Sequence, residues 1–517
     1  MISNQKNIEN NEIGDTEDTT QSEVEKTQRS SAEQSPLRSD IISSDDQSDR
    51  SILERSTTKI LTSMEVVTVE NEDVDGETHG HDSMVQIFIQ SFIPFFLGGI
   101  GSILAGLLLT YANRTLDLLR EVPELLVLIP PLQGLKGNLD MTFSARMSTM
   151  AHVGEFDRPD IRSKVLRNIA VTEAQSIYVC LVANAVSFLI ILTGLDETDS
   201  VVPPNGTIHE TTPHKYIHSF LFLGSSSILS MAINCGISTI MLALIVDYTW
   251  KHRLNPDNIV TPLGASAGDL LTISAMVIFC YILRPFCEFT DWFPAVLLII
   301  AMLFIPFWLM LAKGDVHAMK TAKQQCVTLI ISTSISCIAG FIQSKGARTY
   351  PNYPAYQTLI SGLTGNRCAV QASRISSYLE LKKESELDWK ERISPYTYYT
   401  CASNECRTAR LLLFTSIPFQ LLFMTISYII SYVIQTPVEH SPWFFLGYSI
   451  VVLIQVGIIM FFTQLIVVGL WTFGLDPDMH AIPMLTAAAD VCGCGFLYML
   501  FIVLDSGFGC VYTAKKM

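Results

Sequence analysis

Two aspartates stand in the interior of long apolar segments, where an ionised side chain normally has a functional reason. Asp269 lies about nine residues into an apolar stretch that begins near residue 260, on the order of 13 Å along a helix. Asp490 occupies the corresponding place in a later stretch. Because an ionised carboxylate is costly inside a membrane, such a residue normally faces a polar path or a partner. Glu173 and Asp247 lie near segment ends and are predicted to be solvated.

A short motif of the form Gly-Leu-x-Gly-Asn occurs twice in the chain. The first copy ends in Gly137 and Asn138, and the second copy ends in Gly365 and Asn366. We predict that both asparagines offer an amide oxygen to a cation, with hydrogen bonding between helices as the alternative. A helix broken at these glycines would add backbone carbonyls to the same site.

A second repeated motif leads into each aspartate. Asp257 and Pro262 precede Asp269, and the same residues recur at one constant displacement as Asp478, Pro483 and Asp490. Two multi-residue patterns that repeat in the same order indicate a duplicated unit. We therefore predict that the two aspartates meet across a central axis. The candidates for the lining of the path between them are Gly137, Gly365, Pro262, Pro483, Asp257 and Asp478.

The chemistry of these residues favours a bound cation. No cationic side chain repeats at a spacing that would neutralise both Asp269 and Asp490. Magnesium fits the pattern because it keeps several waters and takes one or two carboxylates plus neutral oxygens. Zinc or copper would require His and Cys at ligand spacing, and no such cluster occurs in both copies. Another cation, or a membrane receptor that does not transport, remains as an alternative, and no repeated catalytic constellation predicts an enzyme.

The composition is that of a membrane protein. Of the 517 residues, 49% are apolar and only 16% are charged, which is unusual for a soluble chain. A helix crosses a bilayer core with about 20 apolar residues. Two of the candidate spans, the second and the eighth, contain Pro, Gly and charge, which is typical of broken helices that line a protein-enclosed path. The eleven candidates are 86–111, 122–151, 170–194, 216–249, 260–283, 292–312, 325–343, 355–380, 411–434, 441–471 and 482–505.

Each repeat contains five of these spans. Two five-span units joined directly would be inverted, and the extra span at 292–312 restores the same orientation. The predicted fold is therefore an all-α polytopic membrane protein of about eleven transmembrane helices, built as two parallel five-helix repeats and one linking helix. The predicted segments are an acidic tail (1–84), repeat 1 (85–284), the linking helix with a cytosolic loop (285–324), repeat 2 (325–506) and a short C-terminal tail (507–517).

Charge distribution predicts the orientation. The tail holds twenty acidic and seven basic residues, and its polar composition predicts a disordered cytosolic segment. With the N-terminus inside, the cytosolic loops contain fifteen Lys and Arg against eight in the opposite loops, as the positive-inside rule requires. The loop at 195–215 then faces outward with a glycosylation sequon at Asn205. The C-terminus is predicted to be extracellular, and the membrane to be the plasma membrane.

With these motifs, residues 86–505 resemble solute carrier family 41, the animal relatives of the bacterial MgtE magnesium transporters. The resemblance implies magnesium transport through a pseudo-twofold pore in which Asp269 and Asp490 hold a hydrated ion. Magnesium would be the cargo, with no resident cofactor. The implied partners are magnesium, sodium if transport is an exchange rather than channel-like, and the lipid bilayer, with no nucleic acid. One chain would form a pseudo-dimer, so that no higher oligomer is required.

Overall fold

The structure is a computed structural model, and it describes residues 84–116, 119, 122, 124–193, 213–252, 256–290, 292–381, 394–400, 404–434 and 441–508. All regular secondary structure within these residues is helical, as the sequence predicts. The acidic tail, the loop with Asn205 and the C-terminal tail from residue 509 lie outside the described residues, as do the side chains of Asp257, Pro262 and Asp478.

Eleven long helices and one short helix make up the described chain, and each of the eleven predicted spans falls on one long helix. A 3-10 turn at Glu155–Asp157 follows the second helix. We refer to α1–α5 as repeat 1 and to α7–α12 as repeat 2. The helices are α1 (Met84–Thr115), α2 (Leu125–His152), α3 (Ile161–Leu192), α4 (Pro213–Lys251), α5 (Pro256–Phe289), α6 (Trp292–Ala312), α7 (Val316–Thr349), α8 (Tyr353–Leu381), α9 (Pro395–Thr400), α10 (Asn404–Ile434), α11 (Pro442–Thr472) and α12 (Pro477–Phe508).

Nine of the described long helices are apolar and long enough to cross a membrane. The other two are α2 and α8, the same segments that the sequence marks as weak. Both carry many polar side chains that are buried inside the protein. A helix surrounded by other helices does not need an apolar surface, because its polar groups meet protein rather than lipid. The count of eleven membrane crossings stays a prediction.

The predicted break in α2 and α8 is wrong. The helix α2 runs without interruption from Leu125 to His152, although Pro130 and Pro131 lie inside it. The helix α8 is likewise continuous through Gly365. A glycine inside a helix costs only about 1 kcal/mol relative to alanine, and both helices are enclosed by neighbours that favour the regular conformation. Unwound backbone therefore does not supply carbonyls to the site.

The two repeats interdigitate through their first helices. The helix α1 packs against α8 of the other repeat, and α7 packs against α2. At the first crossing, a Cβ added to Gly106 would lie 2.7 Å from the carbonyl oxygen of Ala355, and Gly340 meets the backbone of Val127 in the same way at the second. Only glycine fits at either crossing. The repeats thus share one interior rather than meeting at a flat interface.

The apolar cores show the same exchange. Ile103 and Leu107 of α1 belong to the core built from repeat 2, whereas Leu329 and Ala347 of α7 belong to the core built from repeat 1. The linking helix α6 packs mainly against α3 and α4 and is largely exposed. Its exposed residues are apolar, as suits a lipid-facing helix. The helices that surround the shared centre are therefore α1, α2, α5, α7, α8 and α12.

Candidate ion-binding site

A cavity of about 80 Å³ lies where α1, α2, α5, α8 and α12 meet. A single water needs on the order of 10–15 Å³ of such space, so the cavity has room for several waters. Its walls come from both repeats. The cavity brings together six of the residues that the sequence predicts for the site: Asp269, Asp490, Asn138, Asn366, Gly137 and Gly365.

The two aspartates stand at matching depths on matching helices. Asp269 follows Pro256, the first residue of α5, at the same distance along the sequence as Asp490 follows Pro477, the first residue of α12. At the helical rise this is about 20 Å from each helix start. Both side chains are partly exposed, and both face the cavity. They are near enough for their charges to repel each other.

Each carboxylate accepts a hydrogen bond from a serine on the first helix of its own repeat. The Ser102 hydroxyl on α1 donates to Asp269 Oδ2 at 3.3 Å, and the Ser336 hydroxyl on α7 donates to Asp490 Oδ2 at 3.4 Å. Neither serine is among the residues that the sequence predicts for the site. The available signal was the presence of a serine inside the apolar first helix of each repeat.

Each carboxylate also lies against the second helix of the other repeat. A Cβ added to Gly362 would stand 3.6 Å from Asp269 Oδ2, and one added to Gly134 would stand 3.6 Å from Asp490 Oδ2. The first glycine of each repeated motif therefore leaves the space in which the carboxylate of the opposite repeat sits. Both repeats are needed to complete either half of the site.

The two asparagines have different surroundings. The Thr486 hydroxyl on α12 donates to Asn138 Oδ1 at 3.4 Å, which joins α12 to α2. The equivalent of Thr486 in repeat 1 is Ala265, which has no hydroxyl. Asn366 instead places its amide nitrogen beside Gly98 of α1. Asn138 thus makes the hydrogen bond between helices that was the alternative to binding a cation. Both asparagine side chains nevertheless line the cavity.

Among the remaining predicted lining residues, only Pro483 has a described side chain. Pro483 is buried within α12 but is not a lining residue. The prediction that Glu173 is solvated is wrong, because its side chain is only 3% exposed. Asp247, in contrast, is partly exposed and binds Lys251 at 2.7 Å. Lining residues that the sequence analysis missed are Gly98, Ser102, Pro130, Gln133, Gly134, Met141, Gln357, Thr358, Ser361, Gly362 and Thr486.

The cavity offers almost only oxygen ligands. Two carboxylates, several amides and several hydroxyls face it, with one thioether from Met141. Within the described part of the chain, no group of three or more His, Cys, Asp or Glu side chains is placed to hold a metal ion directly. Two neighbouring carboxylates repel each other, and a cation between them relieves that repulsion. The arrangement suits a hard cation that retains part of its water shell.

A known protein family matches each of the two repeats. The MgtE family, described as a divalent cation transporter, matches residues 129–279 and 357–500. The starts of the two matches are as far apart in the sequence as Gly137 and Gly365, and their ends are as far apart as Asp269 and Asp490. The family match therefore reproduces the duplication that the motifs indicate, and each half of it includes one of the cavity aspartates. No solved structure matches the chain significantly.

Several curated relatives cover most of the chain. Solute carrier family 41 member 3 of Mus musculus is 31% identical over 432 residues, which cover 82% of this chain and 84% of the relative. Member 3 of Rattus norvegicus is 31% identical over 433 residues, covering 82% and 88%. Member 2 of Homo sapiens is 28% identical over 420 residues, covering 80% and 70%. The chain therefore belongs to solute carrier family 41, as a multi-pass membrane protein whose paired MgtE domains are those of a divalent cation transporter.

Proposed function

We propose that this protein transports Mg²⁺ and that the ion, still largely hydrated, binds between Asp269 and Asp490. The observation that carries the proposal is the pair of equivalent carboxylates on one cavity with room for several waters. Magnesium dehydrates reluctantly and is commonly held by one or two carboxylates and waters. The hydroxyl and amide oxygens at the wall would then accept hydrogen bonds from the waters that the ion retains.

The composition of the wall supports a hard divalent cation such as magnesium over zinc and copper. Calcium takes six to eight direct oxygen ligands, and the two carboxylates, four amides and four hydroxyls of the lining could supply them. Zinc and copper prefer imidazole or thiolate ligands, and the lining has neither. Another divalent cation remains the second candidate. The preference among divalent cations is measured by competition. Ca²⁺, Mn²⁺ or Co²⁺ is added to proteoliposomes that contain the purified protein, and the effect on Mg²⁺ uptake is recorded.

Neutralising the two carboxylates tests the proposal directly. Asp→Asn at position 269 or 490 keeps the shape of the side chain and removes its charge, so each single change should reduce Mg²⁺ uptake strongly. The double change should abolish uptake, because no charged ligand remains at the cavity. The measurement is Mg²⁺ influx into proteoliposomes that contain purified protein.

The matched control is Asp247→Asn, which removes a carboxylate that pairs with Lys251 at the end of α4. This variant should transport at the unmodified rate. A double variant at 269 and 490 that folds, inserts and still carries Mg²⁺ like the unmodified protein would refute the site. Transport that is channel-like and transport coupled to sodium use the same carboxylates, and influx with sodium present or absent on the far side separates them.

The proposed orientation places the N-terminus in the cytosol, the C-terminus outside the cell and the protein in the plasma membrane. It rests on the excess of basic residues in one set of loops and on the sequon at Asn205. A cysteine introduced by Ser200→Cys should react with an impermeant reagent in intact cells. One introduced by Ser385→Cys should react only after permeabilisation, and the reverse result would invert the topology.

A further inference from the structure

Behind the cavity wall of repeat 1 lies a buried cluster of charged side chains, formed by Lys136, Asp140 and Glu173. Their exposures are 0%, 1% and 3%. The Lys136 ammonium donates to Asp140 Oδ2 and to the Ser238 hydroxyl. Ser238 in turn donates to Asp140 Oδ1 at 2.9 Å. The charge of Lys136 is thus matched by that of Asp140.

Among the described residues, Glu173 has no cation of its own to neutralise it. Lys136 acts on this carboxyl group, but it already pairs with Asp140. Its Oε1 packs against Gly236, where an added Cβ would stand 3.2 Å away. The Cys235 thiol lies within hydrogen-bonding reach, and Lys136 is the cation that acts on it electrostatically. One ammonium and two carboxylates leave one negative charge if all are ionised. A buried charge without its own partner is strongly unfavourable, so Glu173 requires a cation or a proton.

The surroundings of Glu173 favour the proton. A hard metal ion needs several oxygen ligands, whereas the groups around this carboxyl are a thiol and the backbone at Gly236. No group of three or more potential metal ligands exists in the part of the chain that the structure describes. A proton needs only the carboxyl group itself. The protonated acid is neutral, and it leaves the ion pair of Lys136 and Asp140 intact.

The cluster is close to the cation path. A Cβ added to Gly268 would stand 3.5 Å from Asp140 Oδ2, and Gly268 immediately precedes Asp269. Lys136 immediately precedes Gly137, which lines the cavity. A divalent cation in the cavity makes the local potential more positive, and in a low-dielectric interior this effect extends beyond direct contact. A positive potential stabilises the ionised form of a nearby carboxyl group.

We propose that Glu173 binds a proton that is linked to cation transport. The carboxyl group is protonated when the cavity is empty, and it loses its proton to water when a divalent cation binds between Asp269 and Asp490. Linkage is reciprocal, so a rise in pH should strengthen cation binding. This inference rests on the proposed function, because the cation site is the one proposed above. Repeat 1 alone carries it, because the positions of Lys136 and Asp140 are Thr364 and Cys368 in repeat 2.

The ionisable groups that face Glu173 are few. Lys136 on α2 and Cys235 on α4 act on it, and Cys235 in turn faces Arg146 and Asp140. The helix α3 also packs against α6, α7 and the 3-10 turn. The helix α6 contains no ionisable residue, and no ionisable group on α7 or the turn acts on Glu173 within the described residues. Within this cluster, Glu173 is therefore the principal group whose protonation could respond to pH.

The proton is observed directly by infrared difference spectroscopy of the purified full-length protein before and after addition of Mg²⁺. We expect the loss of a protonated carboxyl band that shifts when the protein carries glutamate labelled with ¹³C at the side-chain carboxyl. Glu173 is the only glutamate that is buried among the described side chains. A band that shifts only with labelled aspartate would instead belong to an aspartate such as Asp269, Asp490 or Asp140, and that result would overturn the proposal.

Transport provides the second readout. Between about pH 6 and about pH 8, the Mg²⁺ affinity of the unmodified protein should rise, by at most tenfold per pH unit for one linked proton. Glu173→Gln mimics the neutral acid, so it should keep Mg²⁺ uptake and show a smaller pH dependence than the unmodified protein. The part that remains belongs to protons that compete with the cation for Asp269 and Asp490. Glu155→Gln, which changes a partly exposed carboxylate on the 3-10 turn, should keep the pH dependence.

Retention of the full pH response by Glu173→Gln would overturn the proposal while leaving the cation site untouched. Failure of the proposed function shows itself elsewhere, as unaltered uptake by the variant with both Asp269→Asn and Asp490→Asn. If Glu173→Gln does not fold, the labelled-glutamate spectrum of the unmodified protein decides alone. The two failures are therefore separable.

Discussion

The two repeats present an equivalent aspartate, asparagine and pair of glycines to the cavity and different charged side chains to their own interiors. At the cavity, Asp269 and Ser102 of repeat 1 have their counterparts in Asp490 and Ser336 of repeat 2, with hydrogen bonds of 3.3 and 3.4 Å. Behind the cavity wall, the buried side chains of the two repeats differ. The ion pair of Lys136 and Asp140 is replaced by neutral residues in repeat 2.

Repeat 2 has its own buried cation at a different position of the same helix turn. Arg367 stands where repeat 1 has Leu139 and is fully buried. Its Nη1 donates to the Leu363 carbonyl at 3.0 Å, and its guanidinium lies 5.7 Å from the centre of the Phe419 ring. A cation over an aromatic face is stabilised by the ring quadrupole. Each repeat thus buries one positive charge beside the shared centre and satisfies it by different means.

The comparison separates two kinds of constraint. A residue at the cavity wall serves both repeats, because each carboxylate lies against the glycine of the opposite repeat, Gly362 or Gly134. The ion pair of Lys136 and Asp140 behind the wall shares hydrogen bonds with Ser238 of its own repeat, so it can differ between the repeats without disturbing the other half. On this view the cation site is symmetric, while the groups that tune it, such as Glu173, are not.

The largest effect is expected when the ion pair of repeat 1 is broken. Lys136→Met leaves Asp140 charged and buried, and Asp140→Asn does the same to Lys136. Removing one partner of a buried pair typically costs about 3–5 kcal/mol, so both variants should unfold at much lower denaturant concentration. The comparison variants are Thr364→Ala and Cys368→Ala, which should cost about 1 kcal/mol each because no charge is left behind.

Transferring the residues of repeat 2 into repeat 1 sharpens this test. The double change Lys136→Thr with Asp140→Cys removes both charges together, and replacing a whole buried pair is often neutral for stability. It should therefore recover part of the stability that either single change loses, because Thr in place of Lys136 also leaves empty space in the core. If the double change is as damaging as the single ones, the pair has a role in repeat 1 beyond mutual neutralisation.

Much of the fold follows from the sequence. The eleven apolar or mixed segments correspond to eleven helices because bilayer thickness and apolar runs constrain helix length strongly. The duplicated motifs predict that Asp269 and Asp490 share a site, since a repeated unit places equivalent residues equivalently. Hydropathy also marks α2 and α8 as unusual. Their polar residues are buried because those helices contact protein on most sides.

The exchange of first helices between the repeats could not be predicted. It depends on the close approach of Gly106 to Ala355 and of Gly340 to Val127, and glycines in apolar helices have many possible partners. Continuity of α2 was mispredicted because Pro and Gly weaken a helix locally, while packing decides the outcome. The burial of Glu173 was missed for a similar reason: α3 extends well before the apolar segment that suggested its start.

The smallest effect is expected from the two serines, and it tests the symmetry of the cavity most finely. Ser102→Ala and Ser336→Ala each remove one long hydrogen bond to a carboxylate. Such a bond contributes about 0.5–1.5 kcal/mol, and a loss of this size weakens binding by roughly 2- to 10-fold. Without the donor, the carboxylate is less well oriented and its ionised form less favoured, so Mg²⁺ affinity should fall by similar factors in both variants.

Ser334→Ala is the matched control for these serines, because its hydroxyl donates to the Ile330 carbonyl within α7 at 2.7 Å rather than to a carboxylate. Mg²⁺ affinity is measured from the concentration dependence of uptake, and the control should leave it unchanged. A larger loss for Ser336→Ala would show that the ion lies nearer to Asp490, whereas a smaller loss also follows if Ser361, a second donor to Asp490, replaces the lost bond. Equal losses would support an ion shared by both, because the two bonds are equivalent in position and nearly equal in length.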